Sequence, residues 1–195
     1  MNSQFTATAR IVAAALIVTV ATQIIYITVS NMGGTPNRPV LWSTEVVAFI
    51  AMAIGGLALL PSRPVIGAGI AVGGMLNVIQ ASMGLVMFAP LTEAGEAMAP
   101  AFSAVLSMAF ALFFAGKVAF GVAAIAAGRA LWSGEAGFAR IIGALAGLAG
   151  LAAVVLNALA IFPGTDLTFP AGGAGTAAAL FLAMALTALR PVTAD

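Results

Sequence analysis

The sequence predicts an all-α, polytopic transmembrane bundle of six spanning helices. Three observations predict it. The 195 residues are 63% hydrophobic and only 7% charged, with mean hydropathy +1.16. A soluble domain carries about 25% charged residues, so this chain lacks the polar surface to face water. Its apolar residues fall in long unbroken runs, not in the ~10-residue alternating segments of a barrel. In lipid every backbone N–H and C=O must be paired internally, and unbroken runs satisfy that as helices.

Six runs approach the ~20 residues that a span needs: 11–30, 41–60, 64–89, 101–128, 139–162 and 172–189. The first follows Arg10. It is longer than a signal-peptide core, and Tyr26-Ile27-Thr28-Val29 makes a poor cleavage site, so it is read as a retained span. The breaks have turn chemistry. Residues 31–39 hold Gly33, Gly34, Pro36 and Pro39, and Pro61-Ser62-Arg63-Pro64 is a tight reversal. Residues 93–100 are polar, 129–137 are polar around Trp132, and 163–170 carry Gly164 and Asp166. No linker is long enough to divide the chain, so residues 1–195 are read as one integral membrane domain.

Arginine placement sets the expected orientation. With both termini cytoplasmic, the inner segments hold Arg10, Arg63, Arg129, Arg140 and Arg190, and the outer loops hold only Arg38. Trp42 and Trp132 then fall at the outer and inner interfaces. The Ala/Gly-rich composition suits a bacterial plasma membrane.

Spans two and three bear a faint resemblance to spans four and five, in parallel, of a kind that arises easily in an Ala/Gly/Val-rich chain. Val47-Ala48-Phe49 matches Val118-Ala119-Phe120, and Leu76-Asn77 matches Leu156-Asn157. This register sets Val46 against Lys117 and brings Glu45 to a similar depth.

Composition also excludes chemistry. With no Cys there is no disulfide, thiol nucleophile or thiolate metal site, and with no His the commonest proton shuttle and metal ligand is missing. No catalytic group, metal site or cofactor is expected. A net charge of +1 without a basic patch gives no case for nucleic acid. The loose glycine pattern of Gly67, Gly69 and Gly73 follows no strand, so it does not read as a dinucleotide fingerprint. Met75, Met83 and Met87 without Cys or His make a poor copper site. A single lysine in the fourth of six spans does not fit a retinal protein.

The polar residues within the spans remain. An embedded charge costs at least ~2.5–3.5 kcal/mol. Lys117 is the only lysine, and it stands ~18 Å along the helix from Arg129, too far to snorkel. Glu45 is the embedded carboxylate, and the two are expected either to form an ion pair or to line a polar cavity. That cavity would lie in the outer half, with Gln23, Tyr26, Asn77, Gln80 and Asn157. Gly69, Gly73 and Gly84 on span three, and Gly143, Gly147 and Gly150 on span five, are expected to permit close helix packing.

Three functions compete. The leading expectation is a non-enzymatic accessory or assembly subunit, or a scaffold, partnered by the bilayer and by another membrane protein or a second copy. The alternative is a small-solute or ion transporter or channel using Lys117 and Glu45. A membrane enzyme, restricted to these few polar groups, ranks third.

Overall fold

The computed structural model describes residues 2–162 and 164–190; Met1, Pro163 and the last five residues lie outside the described residues. Six helices form: α1 (Asn2–Asn31), α2 (Arg38–Leu59), α3 (Pro64–Glu93), α4 (Ala99–Gly134), α5 (Phe138–Ala160) and α6 (Thr168–Ala188), with a 3-10 turn at Glu96–Met98 before α4. All six are long and apolar enough to cross a membrane, and no strand occurs among the described residues. This is the all-α bundle of a multi-pass membrane protein.

Local chemistry sets the helix ends. Asn37 caps α2 by accepting from the Val40 N–H at 3.2 Å, and Pro39 sits in the first turn, where no intrahelical donor is needed. Pro64 opens α3 in the same way. Gly33, Gly95, Gly137 and Gly164 hold positive φ, all in connections, and no other residue type does so among the described residues. The helices overrun the expected spans. α1 begins before Arg10, and α4 runs for 36 residues, ~54 Å, well beyond the ~30 Å of a bilayer core.

Neighbours in sequence pack against each other from α1 to α6. α6 returns to α1 and also contacts α4, whereas the backbones of α1 and α2 stay clear of α4. The bundle has two ends. One, called the Arg38 face, carries the α1–α2, α3–α4 and α5–α6 connections. The other, the Arg63 face, carries the two tight turns α2–α3 and α4–α5. The buried core lies in the half nearer the Arg63 face: Val12 and Leu16 from α1, Met52 and Leu59 from α2, Ile70 from α3, Phe120 and Leu131 from α4, Leu182 and Leu186 from α6.

Close backbone approaches hold that half together, and they occur twice. A Cβ on Gly56 would strike the backbone of Gly67 and Ala71, and one on Gly128 would strike Gly143 and Gly147. One on Gly67 would strike the backbone of Gly56 and Leu60, and one on Gly143 would strike Gly128 and Trp132. One on Gly74 would strike Phe49 and Ala53, and one on Gly150 would strike Gly121 and Ile125. The pairing is consistent throughout: the α2–α3 hairpin repeats as α4–α5 in the same sense. Ile66-Gly67-Ala68 falls on Ile142-Gly143-Ala144. The register differs from the one the triplet matches gave. Those matches put Val46 on Lys117. The contacts, extended along α2 and α4, put Glu45 itself on Lys117. Phe49 and Phe120 stack on each other, with ring centroids 6.5 Å apart.

Candidate functional site

The Arg38 half is built differently. Because α1 and α2 stand clear of α4, a cavity of about 510 Å³ opens among α1, α2, α3, α4 and α6. That lies within the ~300–1,000 Å³ of small-molecule sites. Its walls are aromatic. Tyr26, Trp42, Phe49, Phe88, Phe102, Phe110, Phe113 and Phe169 line it, more than half of the chain's 12 Phe, two Trp and one Tyr. Trp42 meets Phe88 edge-on at 5.7 Å and Phe88 meets Phe102 at 5.5 Å, so one aromatic chain ties α2, α3 and α4 near the mouth. Arg38 lies 6.0 Å over the Trp42 ring there.

The polar groups converge from four helices. Glu45, on α2, is 9% exposed, and its Oε1 accepts a hydrogen bond from the Thr22 hydroxyl of α1 at 2.7 Å. The same hydroxyl lies 2.9 Å from the Thr19 carbonyl oxygen of its own helix. The Gln23 side-chain oxygen of α1 accepts from the Thr176 hydroxyl of α6. Gln80 of α3 completes the polar lining on that side.

Lys117 sits just below this lining. Its side chain is fully buried, and its stem runs along Gly175 of α6, where a Cβ would come within 2.8 Å of the lysine Cγ and Cδ. Helical side chains lean toward the N-terminus of their helix, which for α4 is the Arg38 face. The ammonium accordingly lies over Phe113, one turn nearer that face, 5.0 Å from the ring centroid. Nζ has no hydrogen-bond partner. Glu45 and Lys117 interact electrostatically, yet they do not touch: Arg190–Glu135, at 3.1 Å, is the only ion pair within 4.0 Å among the described residues.

The expected site residues therefore separate into groups. Gln23, Tyr26, Glu45 and Gln80 come together on the cavity wall. Lys117 lies beneath it. Asn77 and Asn157 do not line it; both are fully buried between helices. Asn77 donates to the Gly73 carbonyl at 2.8 Å, and its amide packs on α4 at Gly116. Asn157 donates to Ala153 O at 2.8 Å and to Ala171 O at 3.0 Å, tying α5 to α6. Gly69 and Gly73 lie against α4, Gly84 against the Trp42 ring, and Gly143 and Gly150 against α4. A Cβ on Gly147 would meet nothing within 4 Å, although Gly128 approaches its backbone.

Sequence reasoning missed the aromatic wall. Phe102, Leu106, Phe110 and Phe113 recur at helical spacing on α4 and all face the cavity, but in a lipid-soluble chain such a stripe has the same appearance as a lipid-facing one. Arg38 read as an outer-loop residue and Trp42 as an interface residue, and both turn out to line the mouth.

At the Arg63 face a polar clasp joins the α2–α3 and α4–α5 turns to the residues that follow α6. Arg63 Nη2 donates to the Arg190 carbonyl at 2.9 Å, and Arg190 Nε pairs with Glu135. The described residues hold no group of three or more His, Cys, Asp or Glu side chains able to bind a metal ion. No protein-family profile, no characterised protein and no solved structure matches this chain.

Proposed function

We propose that this protein binds a small solute with an apolar body in a cavity open to the outer side of a bacterial plasma membrane, as the loading site of a small transporter. One observation carries the reading. An aromatic-walled cavity of about 510 Å³ reaches an embedded carboxylate, Glu45, from the Arg38 face. A scaffold has no use for such a space, which forfeits packing contacts throughout its walls. The arginine bias supports the orientation: Arg10, Arg63, Arg129, Arg140 and Arg190 against Arg38 alone. The closed core and the Arg63–Arg190–Glu135 clasp then seal the cytoplasmic side.

The accessory-subunit reading has one observation in its favour. Pro64, Val65, Ala68 and Val72 of α3 and Ala119 and Val122 of α4 form an apolar outer groove, which a partner helix or lipid would fill. The enzyme reading draws the least support, because Glu45 has only the Thr22 hydroxyl as a side-chain hydrogen-bond partner.

Thiol labelling tests the proposal directly, since the chain is free of cysteine. Glu45→Cys is expected to react in intact cells with a membrane-impermeant maleimide. Val47→Cys lies ~3 Å away along the same helix but is 69% exposed on the outer flank of α2, and in lipid it is expected to stay unreacted. Equal silence at both positions, with normal protein levels, rejects an outward-open cavity.

A further inference from the structure

Glu45 on the cavity wall and Lys117 buried beneath it are opposite charges that do not touch. Lys117 is the sharper anomaly. A fully buried ammonium with no acceptor is costly, yet the fold accommodates it deliberately: Gly175 leaves the groove along which its stem runs. Glu45 is only half satisfied, with Thr22 on one oxygen and no cation within 4.0 Å. The repeat gives the two charges equivalent places, at the same point in α2 and in α4, two helices whose backbones stay clear of each other. Glu45 lines the cavity and Lys117 lies buried beneath that lining, so a gap separates the two at the cavity base.

We propose that the cavity recognises a zwitterion with an aromatic or bulky apolar body, taking its ammonium group on Glu45 and its acidic group on Lys117. This rests on the reading of the cavity as a solute site. A zwitterion laid across the gap completes both protein charges and leaves no net charge buried. A simple organic cation suits Glu45 and the aromatic rings, but it meets Lys117 below and Arg38 at the mouth. A simple anion suits Lys117 but faces the Glu45 carboxylate. Either one leaves a protein charge unpaired in low dielectric, where that is most costly. Phe113 governs access. It lines the cavity and carries the ammonium over its ring, so it stands between the cavity and Nζ and has to move for a ligand to reach the ammonium. The apolar body packs against Trp42, Phe88 and Phe110 on the walls.

Trp42 lines the cavity, and the other tryptophan, Trp132, is not part of it. In purified full-length protein carrying Trp132→Phe, Trp42 fluorescence therefore reports binding. The probes are L-phenylalanine, 2-phenylethylamine and 3-phenylpropionate, which share one ring and differ only in charge. Phenylalanine is expected to bind at least about tenfold more tightly than either singly charged probe. Glu45→Gln is expected to reduce phenylalanine to the level of phenylpropionate, and Lys117→Met to reduce it to that of phenylethylamine. Lys117→Arg keeps the charge and is expected to retain most of the preference, which separates lost recognition from lost folding. Comparable binding of phenylalanine and either singly charged probe overturns the inference. So does the absence of phenylalanine binding at millimolar concentration while the Glu45→Cys variant labels normally, a result that leaves the solute-cavity reading standing. Failure of the Glu45→Cys variant to label removes both.

Discussion

The two halves of the bundle use the same six helices and arrive at opposite interiors. Toward the Arg63 face, glycines bring backbones together, and Val12, Met52, Ile70, Phe120 and Leu182 fill the remaining space. Toward the Arg38 face, the helices present aromatic rings that meet edge-on near the mouth and leave a cavity of about 510 Å³. Lipid offers helices no hydrophobic reason to associate, so association relies on packing and polar contacts. The Arg63 half has packing in full. The Arg38 half has less of it and relies on cross-helix polar links: Thr22 to Glu45, Thr176 to Gln23 and, from α5 to α6, Asn157 to Ala171. A membrane bundle thus concentrates its stability in one half and keeps the other open.

Matched substitutions in the two halves sharpen this contrast. The largest difference is expected between Phe120→Ala and Phe102→Ala. Phe120 is fully buried, and its loss is expected to cost about 3–5 kcal/mol. Phe102 borders the cavity and is expected to cost about 1 kcal/mol or less, because its site is already partly open. Thermal unfolding in detergent, followed by size-exclusion chromatography, separates them. Next comes Gly128→Ala, whose new methyl would stand 2.5 Å from the Gly143 carbonyl; about 1–3 kcal/mol of destabilisation is expected. Gly172→Ala on the cavity wall meets nothing within 4 Å and is expected to be near neutral. Asn157→Ala removes the bridge to α6 and is expected to cost about 1 kcal/mol. Among the substitutions that remove a contact, the smallest effect is expected from Arg190→Ala at the exposed clasp, about 0.5 kcal/mol or less and weaker still at high salt. Equal costs for both members of the phenylalanine pair and the glycine pair would break the contrast between the halves.

Much of this architecture was legible in the sequence, because its signal is strong and one-dimensional. Unbroken apolar runs give the helices, and Gly33, Gly95, Gly137 and Gly164 fall where the chain turns. The parallel repeat was legible in outline, but its register was not. In a chain this rich in Ala, Gly and Val, short matches arise at several offsets. Val-Ala-Phe suggested one, whereas the contacts of Gly56, Gly74, Gly128 and Gly150 select another, one residue away on α2 and α4. That single residue sets Glu45 on Lys117 in the repeat rather than beside it. Asn77 and Asn157 illustrate a second limit. An embedded amide serves a cavity or a helix contact with the same residue type, and only the position of the neighbouring helix decides. Here Gly116 and Ala171 come close enough to claim them. Gly147 shows the converse: its place in a glycine row suggested a contact for its own missing side chain, but that side faces open space.

Helix α2 passes from an open interior to a closed one, and a cysteine scan along it follows that change residue by residue. Trp42, Glu45, Phe49, Met52 and Gly56 lie successively on its inward side. Labelling by a small membrane-impermeant thiol reagent is expected to be fast at 42 and 45, slow at 49 and absent at 52, where the native side chain is fully buried. Uniform labelling through position 52, or none at 42 and 45 in folded protein, would mean that the interior of α2 does not divide in this way.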